Sequence, residues 1–237
     1  AKLDIELSQA MLASKEMGDV LKPIDVEYFK GNFHWKDQEM GDSWLFSGND
    51  INLSIKGEVW PETSLTLIKK PEDLMIKSDF FRIEQLLDVA ALSGRLPEQI
   101  LLQNPAGDIE KLEMTYLIGS GLKYASLNLR KGQITSWSDY PGITNIYANI
   151  NFYEEVARIK IASKKVTVHP ANKFDALMFF DAITGVLEFE KKDKAWRVQG
   201  HNLKVKNDEL TLEFNGSIEQ NTAGEIINDV ELSFENV

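Results

Sequence analysis

Gly185-Val-Leu-Glu-Phe189, a short charged turn, and Trp196-Arg-Val-Gln-Gly200-His-Asn-Leu203-Lys-Val205 decide the fold of this chain. Apolar and polar residues alternate on both sides of the turn, the pattern of strands with one apolar and one polar face. The same unit stands earlier: Gly31-Asn-Phe-His-Trp35, a charged turn, then Trp44-Leu-Phe-Ser-Gly48-Asn-Asp-Ile51-Asn-Leu53. Glycine, apolar, aromatic, turn, Trp, Gly and a closing apolar pair recur in one order, with two residues fewer in the second turn. A looser third copy runs through Ala148-Asn-Ile-Asn-Phe152, a turn, and Ile159 to Val168. Hairpins repeated along a chain and stacked edge to edge build an elongated sheet, each copy covering its neighbour's edge.

Period-two alternation extends outward from these units. It is present at Leu3, Ile5 and Leu7, at Leu127 and Leu129, at Leu210, Leu212 and Phe214, and at Val230, Leu232 and Phe234. Lys131-Gly132, Glu154-Glu155, Lys191-Lys192-Asp193 and Asn221-Thr-Ala-Gly224 read as turns between the runs. Short strands joined by tight polar turns predict a mainly β chain, an elongated, curved antiparallel sheet of repeated hairpins. One stretch departs from this. Ile83, Leu86, Leu87, Ala90 and Ala91 follow helical spacing between Phe81 and Leu92, with Gly94 as a stop and Pro97 opening a second short helix to Leu102. This helical insert near residues 81–102 is too short for a core of its own and is expected to pack on the sheet. Residues 8–20 read as loop or short helix.

The chain has 237 residues and a formal net charge of −11, which argues against nucleic acid as a partner, since phosphate binding needs clustered Lys and Arg. It has no cysteine, hence no disulfide framework and no thiolate metal site. No apolar run reaches the length of a membrane span. Both ends look cut from something longer. Residues 1–237 are therefore read as a single all-β segment of a longer protein, with repeat units near 25–60, 145–168 and 183–206.

No motif in the sequence fixes a reaction. Gly119-Ser-Gly121 lacks the spacing of a nucleophile elbow, and no phosphate loop or dinucleotide fingerprint is present. His34, His169 and His201 have no metal-ligand spacing, and no cofactor is expected. The acidic residues are scattered on polar strand faces and in turns. Trp35, Trp44, Trp60, Trp137 and Trp196 suit either a stacking platform or structural packing, and the matched positions of Trp44 and Trp196 favour structure.

From about residue 25 onward the chain resembles the segment of YhdP-type proteins that precedes their AsmA-like C-terminal region. The likeness is carried by Gly31-Asn-Phe-His-Trp35 with Trp44, Leu101-Leu-Gln-Asn-Pro-Ala-Gly107-Asp-Ile109, Trp137 with Pro141-Gly142, and Phe179-Phe180-Asp-Ala-Ile-Thr-Gly185. The family's turn before that glycine reads closer to Leu-x-Pro-x-Gly than the interval Leu101 to Gly107 found here. The resemblance implies a non-catalytic periplasmic body of an inner-membrane-anchored protein. Its partners would be phospholipid or another acyl-chain lipid and the flanking segments of the same chain, with membrane contact through parts outside this sequence. Moving one chain of about 16 methylenes through bare water costs on the order of 13 kcal/mol, so a carrier must keep it against apolar side chains throughout.

Three readings compete. In a lipid-conducting bridge the apolar face stays open, and its candidate lining is Ile159, Ile161, Leu187, Phe189, Leu203, Val205, Leu212 and Phe214. In a closed structural or interaction β-domain the same residues are plain core. A glycan-binding module or hydrolase ranks third and predicts a compact pocket with a carboxylate pair.

Overall fold

The computed structural model describes residues 1–12, 24–38, 42–91, 98–138, 140–171, 176–192 and 195–236. The chain forms two compact units, Ala1–Lys123 and Tyr124–Val237. In the first, β1 (Lys2–Leu12), β2 (Ile24–Gln38), β3 (Ser43–Ile55), β5 (Thr63–Lys69), β6 (Asp73–Arg82) and β7 (Ala106–Leu117) pair antiparallel in that order, and the short β4 (Glu58–Val59) folds back on β3. In the second, β8 (Gly121–Ile134), β9 (Gly142–Tyr153), β10 (Val156–His169), β11 (Met178–Lys192), β12 (Ala195–Lys206), β13 (Leu210–Gln220) and β14 (Ile226–Asn236) pair antiparallel in chain order. The expected antiparallel meander with a small helical insert is what the structure shows.

The strands are longer than the sequence suggests, reaching 15 residues in β2 and β11. The reason is the β-bulge, which shifts the phase of alternation without ending the strand. In β12 the apolar positions run Trp196, Val198, then Leu203, Val205. The change of phase falls at Asn202, where the register jumps between Gly200 and Leu203. Lys131-Gly132, expected as a turn, likewise lies inside β8: Lys131 has φ 50°, and the register with β9 shifts there. Turns do form at Glu154-Glu155 and at Asn221, whose side-chain oxygen accepts the amides of Ala223 and Glu225.

The repeat is structural as well as textual. Phe33 pairs with Gly48, and Leu187 pairs with Gly200. In each copy the register slips between the residue after that second glycine and the one three further on: Asn32↔Asn49 and Lys30↔Asn52, Val186↔His201 and Thr184↔Lys204. The β9–β10 hairpin carries its irregularity elsewhere, between Ile161↔Ala148 and Thr167↔Thr144.

Residues 8–12 extend β1 and are neither loop nor helix, because Ala10 and Leu12 pair with Val26 and Ile24, which with Ile55 form a buried cluster. Residues 13–20 of that expectation lie outside the described residues. Helix α1 spans Ile83–Ala91 and α2 spans Glu98–Gln103, while the stop at Gly94 and the start at Pro97 lie outside the described residues. Phe81 and Arg82 belong to β6, paired with Ile109 and Asp108. Helix α1 docks on the sheet through a polar residue. Gln85 is 3% exposed, accepts from the Trp60 indole and donates to the Ile55 carbonyl, while Leu86 faces outward.

Candidate functional site

In the second unit, strand register puts the expected lining residues on one face. Ile159 stands directly opposite Leu187 and Ile150, and Ile150 opposite Leu127. Phe189 stands between Ala157 and Val198, and Val198 opposite Ile218. Ile161 is opposite Gly185 and Ala148. Beyond the bulge of β12, Leu203 pairs with Phe214 and Val205 with Leu212, and these continue onto Leu232 and Phe234 of β14. Side chains directly opposite in adjacent strands project to the same side, so these rows form one apolar face. Leu127, Ile150, Phe152, Val198, Val230, Leu232 and Phe234 belong to it as well. Their alternation is visible in the sequence, but only the pairing register assigns them to the same side as the eight candidates.

None of the eight candidates is buried; Phe189 is 38% exposed and the other seven are half-exposed. Among the described residues, the buried apolar side chains of this unit are Ala125, Ala148 and Val166. On β14 exposure rises to 57% for Leu232 and 73% for Phe234.

The opposite face carries charged and polar pairs, with Val186 and Ile227 among them. Arg158 and His201 approach Glu188 at 3.3 and 3.8 Å, Lys204 reaches Glu213 at 3.0 Å, and Arg197 reaches Glu219 at 3.7 Å. Asn149 donates to Asn128, Asn151 to Asn149, and Ser126 to Asn151, at 2.7–2.9 Å. Such exposed pairs add little stability each, but they satisfy this face in water.

In the first unit the β2–β3 hairpin carries a run of aromatic rings. Phe33 lies nearly parallel to Phe29 and Phe46, with centroids 5.6 and 5.7 Å apart, and Trp35 stacks on Trp44 at 4.7 Å. Trp44 and Trp196 hold equivalent places, four residues before Gly48 and Gly200. Trp196 donates to Gln220 of the next strand at 2.7 Å, and Trp60 is buried against Phe80 and Phe81. For Trp60 and Trp196 these are packing roles.

At the junction of β6 and α1, Arg82 bonds Asp108 at 3.0 Å and Glu58 at 2.7 Å, and Glu84 accepts the Gly107 amide at 3.0 Å. Burial works to lower the Arg82 pKa, but the Asp108 hydrogen bond and the surrounding carboxylates outweigh it and raise the value.

A concavity of about 410 Å³ in the second unit sits at strand ends among Glu190, Lys192, Trp196, Arg197, Glu219 and Gln220, away from the middle of the apolar face. Among the described residues no group of His, Asp or Glu is placed to hold a metal ion.

The family model described as YhdP protein matches residues 1–235. No curated protein and no solved structure matches the chain.

Proposed function

This chain belongs to the YhdP protein family, one of non-enzymatic bacterial envelope proteins, and from that premise we propose that it is a lipid-handling segment of a periplasmic bridge. Its apolar face holds the acyl chains of phospholipid moving between the inner and outer membranes, while headgroups stay in water. The observation that carries this reading is that Ile159, Leu187, Phe189, Leu203, Val205, Leu212 and Phe214 share one face and none is buried. Monomeric soluble proteins rarely leave a contiguous apolar patch larger than a few hundred Å² without a ligand or partner for it. An extended acyl chain suits such a face because it needs no hydrogen bond from it and gains about 0.8 kcal/mol per methylene removed from water. Among the described residues no helix is long and apolar enough to cross a membrane, which fits a segment whose anchor lies in another part of the longer protein.

Native mass spectrometry of the purified chain, with organic extraction of whatever it carries, tests this. Phospholipid bound in defined stoichiometry is the expected result. A clean apo mass with no uptake from added phospholipid overturns it in favour of a closed structural β-domain, and a bound oligosaccharide would point to a glycan-binding module.

A further inference from the structure

We propose that Phe214 sets the depth of the second unit's apolar face, that Gly200 is the positioning residue that lets its ring lie flat, and that Phe33 stands in the same relation to Gly48 and Gly31 within the first unit; this rests on the lipid-handling reading above. A side chain in a strand ordinarily stands away from the sheet. Phe214 does not. A Cβ built on Gly200 would meet its Cε1 at 2.4 Å and its Cδ1 at 2.5 Å, so the ring occupies the space over the neighbouring strand's backbone. Phe33 does the same in the other unit: a Cβ on Gly31 would meet Cζ at 2.8 Å, and one on Gly48 would meet Cε1 at 2.7 Å.

Backbone conformation does not require these glycines, because Gly31, Gly48 and Gly200 do not take the positive φ that Gly185 and Gly216 have. Glycine inside a strand weakens it, having no side chain to pack and more backbone freedom to lose. What the missing Cβ supplies here is room. The row Leu187, Gly200, Gly216, Val230 crosses the apolar face with two adjacent positions that carry no side chain, and Phe214 roofs the first of them. The result is a level stretch that offers a ring face where upright side chains would interrupt it. A methylene chain lying across the strands meets that stretch without a step.

The two hairpins reach the arrangement from opposite sides. Gly48 is covered from the preceding strand by Phe33, and Gly200 from the following strand by Phe214. The textual repeat places a leucine, Leu187, where Phe33 stands, so the ring over Gly200 is supplied by residues beyond the repeat.

The test compares uptake of palmitoyl-oleoyl phosphatidylethanolamine from vesicles by the whole chain and its variants, read as lipid per folded protein by native mass spectrometry. Gly200→Ala tilts the ring upward and is expected to lower the load about fourfold, the change that follows when about one methylene of the lipid loses its apolar contact. The far-UV circular dichroism should stay that of the wild type. Phe214→Leu over an unchanged Gly200 replaces the flat ring with an upright side chain and should lower uptake likewise; it is the second measurement should Gly200→Ala fail to fold, and wild-type loading by it would also overturn the proposal. Equal loading by wild type and the folded glycine variant overturns the proposal and leaves the rings as covers for exposed backbone. Absence of uptake by the wild type instead overturns the lipid reading beneath it.

Discussion

Asp50 and Asn202 occupy the same place in two copies of one bulge, each two residues after the glycine that faces an apolar partner, with φ of 52° and 47°. Both have left-handed backbone, which Asp and Asn tolerate because their short side chains bond locally. The surroundings supply the hydrogen bonds that the interrupted ladder lacks. Asn52 donates to the Asp50 carbonyl at 2.9 Å, Asn32 donates to the Asp50 carboxylate at 2.8 Å, and the Asn202 amide donates to Asn215 at 2.7 Å.

A β-branched residue at either place should therefore be strained. Asn202→Val is expected to lower stability by about 1–2 kcal/mol, while Asn202→Gly stays within about 0.5 kcal/mol of the wild type. Urea unfolding decides it, and equal midpoints for the two variants would reject the strain argument.

Arg82→Met removes the cation shared by Asp108 and Glu58 while keeping most of the side-chain volume. Because the Arg82 side chain is only 14% exposed, the carboxylates left behind lose a partner where water compensates poorly. A loss of roughly 2–3 kcal/mol is expected, with faster amide exchange in α1 and the start of β7. Unchanged exchange there would mean the ion pairs are not what holds α1 to the sheet.

Leu203→Asp and Leu212→Asp place a charge on the apolar face at half-exposed positions, whereas Lys204→Gln changes the polar face between them. The two Asp variants should fold at a cost of roughly 1–2 kcal/mol each and lose bound phospholipid, and the Lys204 variant should keep it. If both Asp variants fail to fold, these positions are core.

Glu27 accepts the Gly57 amide at 2.8 Å and the Ser54 hydroxyl at 3.0 Å. Desolvation pushes its pKa up, but the Gly57 amide, other backbone hydrogen bonds and the Ser54 bond outweigh that and hold the carboxyl below its ordinary range. A lowered folded-state pKa gives stability that is complete above the unfolded-state value and disappears as pH falls through the folded-state value. Glu27→Gln should flatten the acid limb of the stability profile below about pH 4.5. Urea midpoints measured across that range would refute the assignment if the variant kept the wild-type slope.

Much of this architecture was legible in the residues. Alternation gave the antiparallel meander, and Gly31, Gly48, Gly185 and Gly200 marked equivalent points of two hairpins. Strand length was not legible, because a bulge such as that at Asn202 looks like the end of one run and the start of another. The membership of the apolar face was legible only in part. Leu203 and Phe214 alternate visibly, but whether Leu232 and Ile150 join them depends on register across several strands, which local sequence does not fix. The roles of Gln85 and Phe214 were hidden for a different reason. A polar residue at the buried side of a helix, or a ring lying down, is decided by one neighbour, here Trp60 or Gly200, that is distant in sequence.

Because the strands of each unit pair in chain order, with β4 merely folded back on β3, nearly every contact closes only a turn and two strands. Among the described strands the longest wait for a partner is that of β6 for β7 across the helical insert, so the loop-closure entropy that slows most β proteins stays small. Each hairpin can zip onto the one before it as the chain is delivered, and a whole hairpin added or removed leaves the others' pairing intact. Each such step changes the span of the sheet by roughly 10 Å, two strand spacings, giving the fold a way to change length in fixed increments.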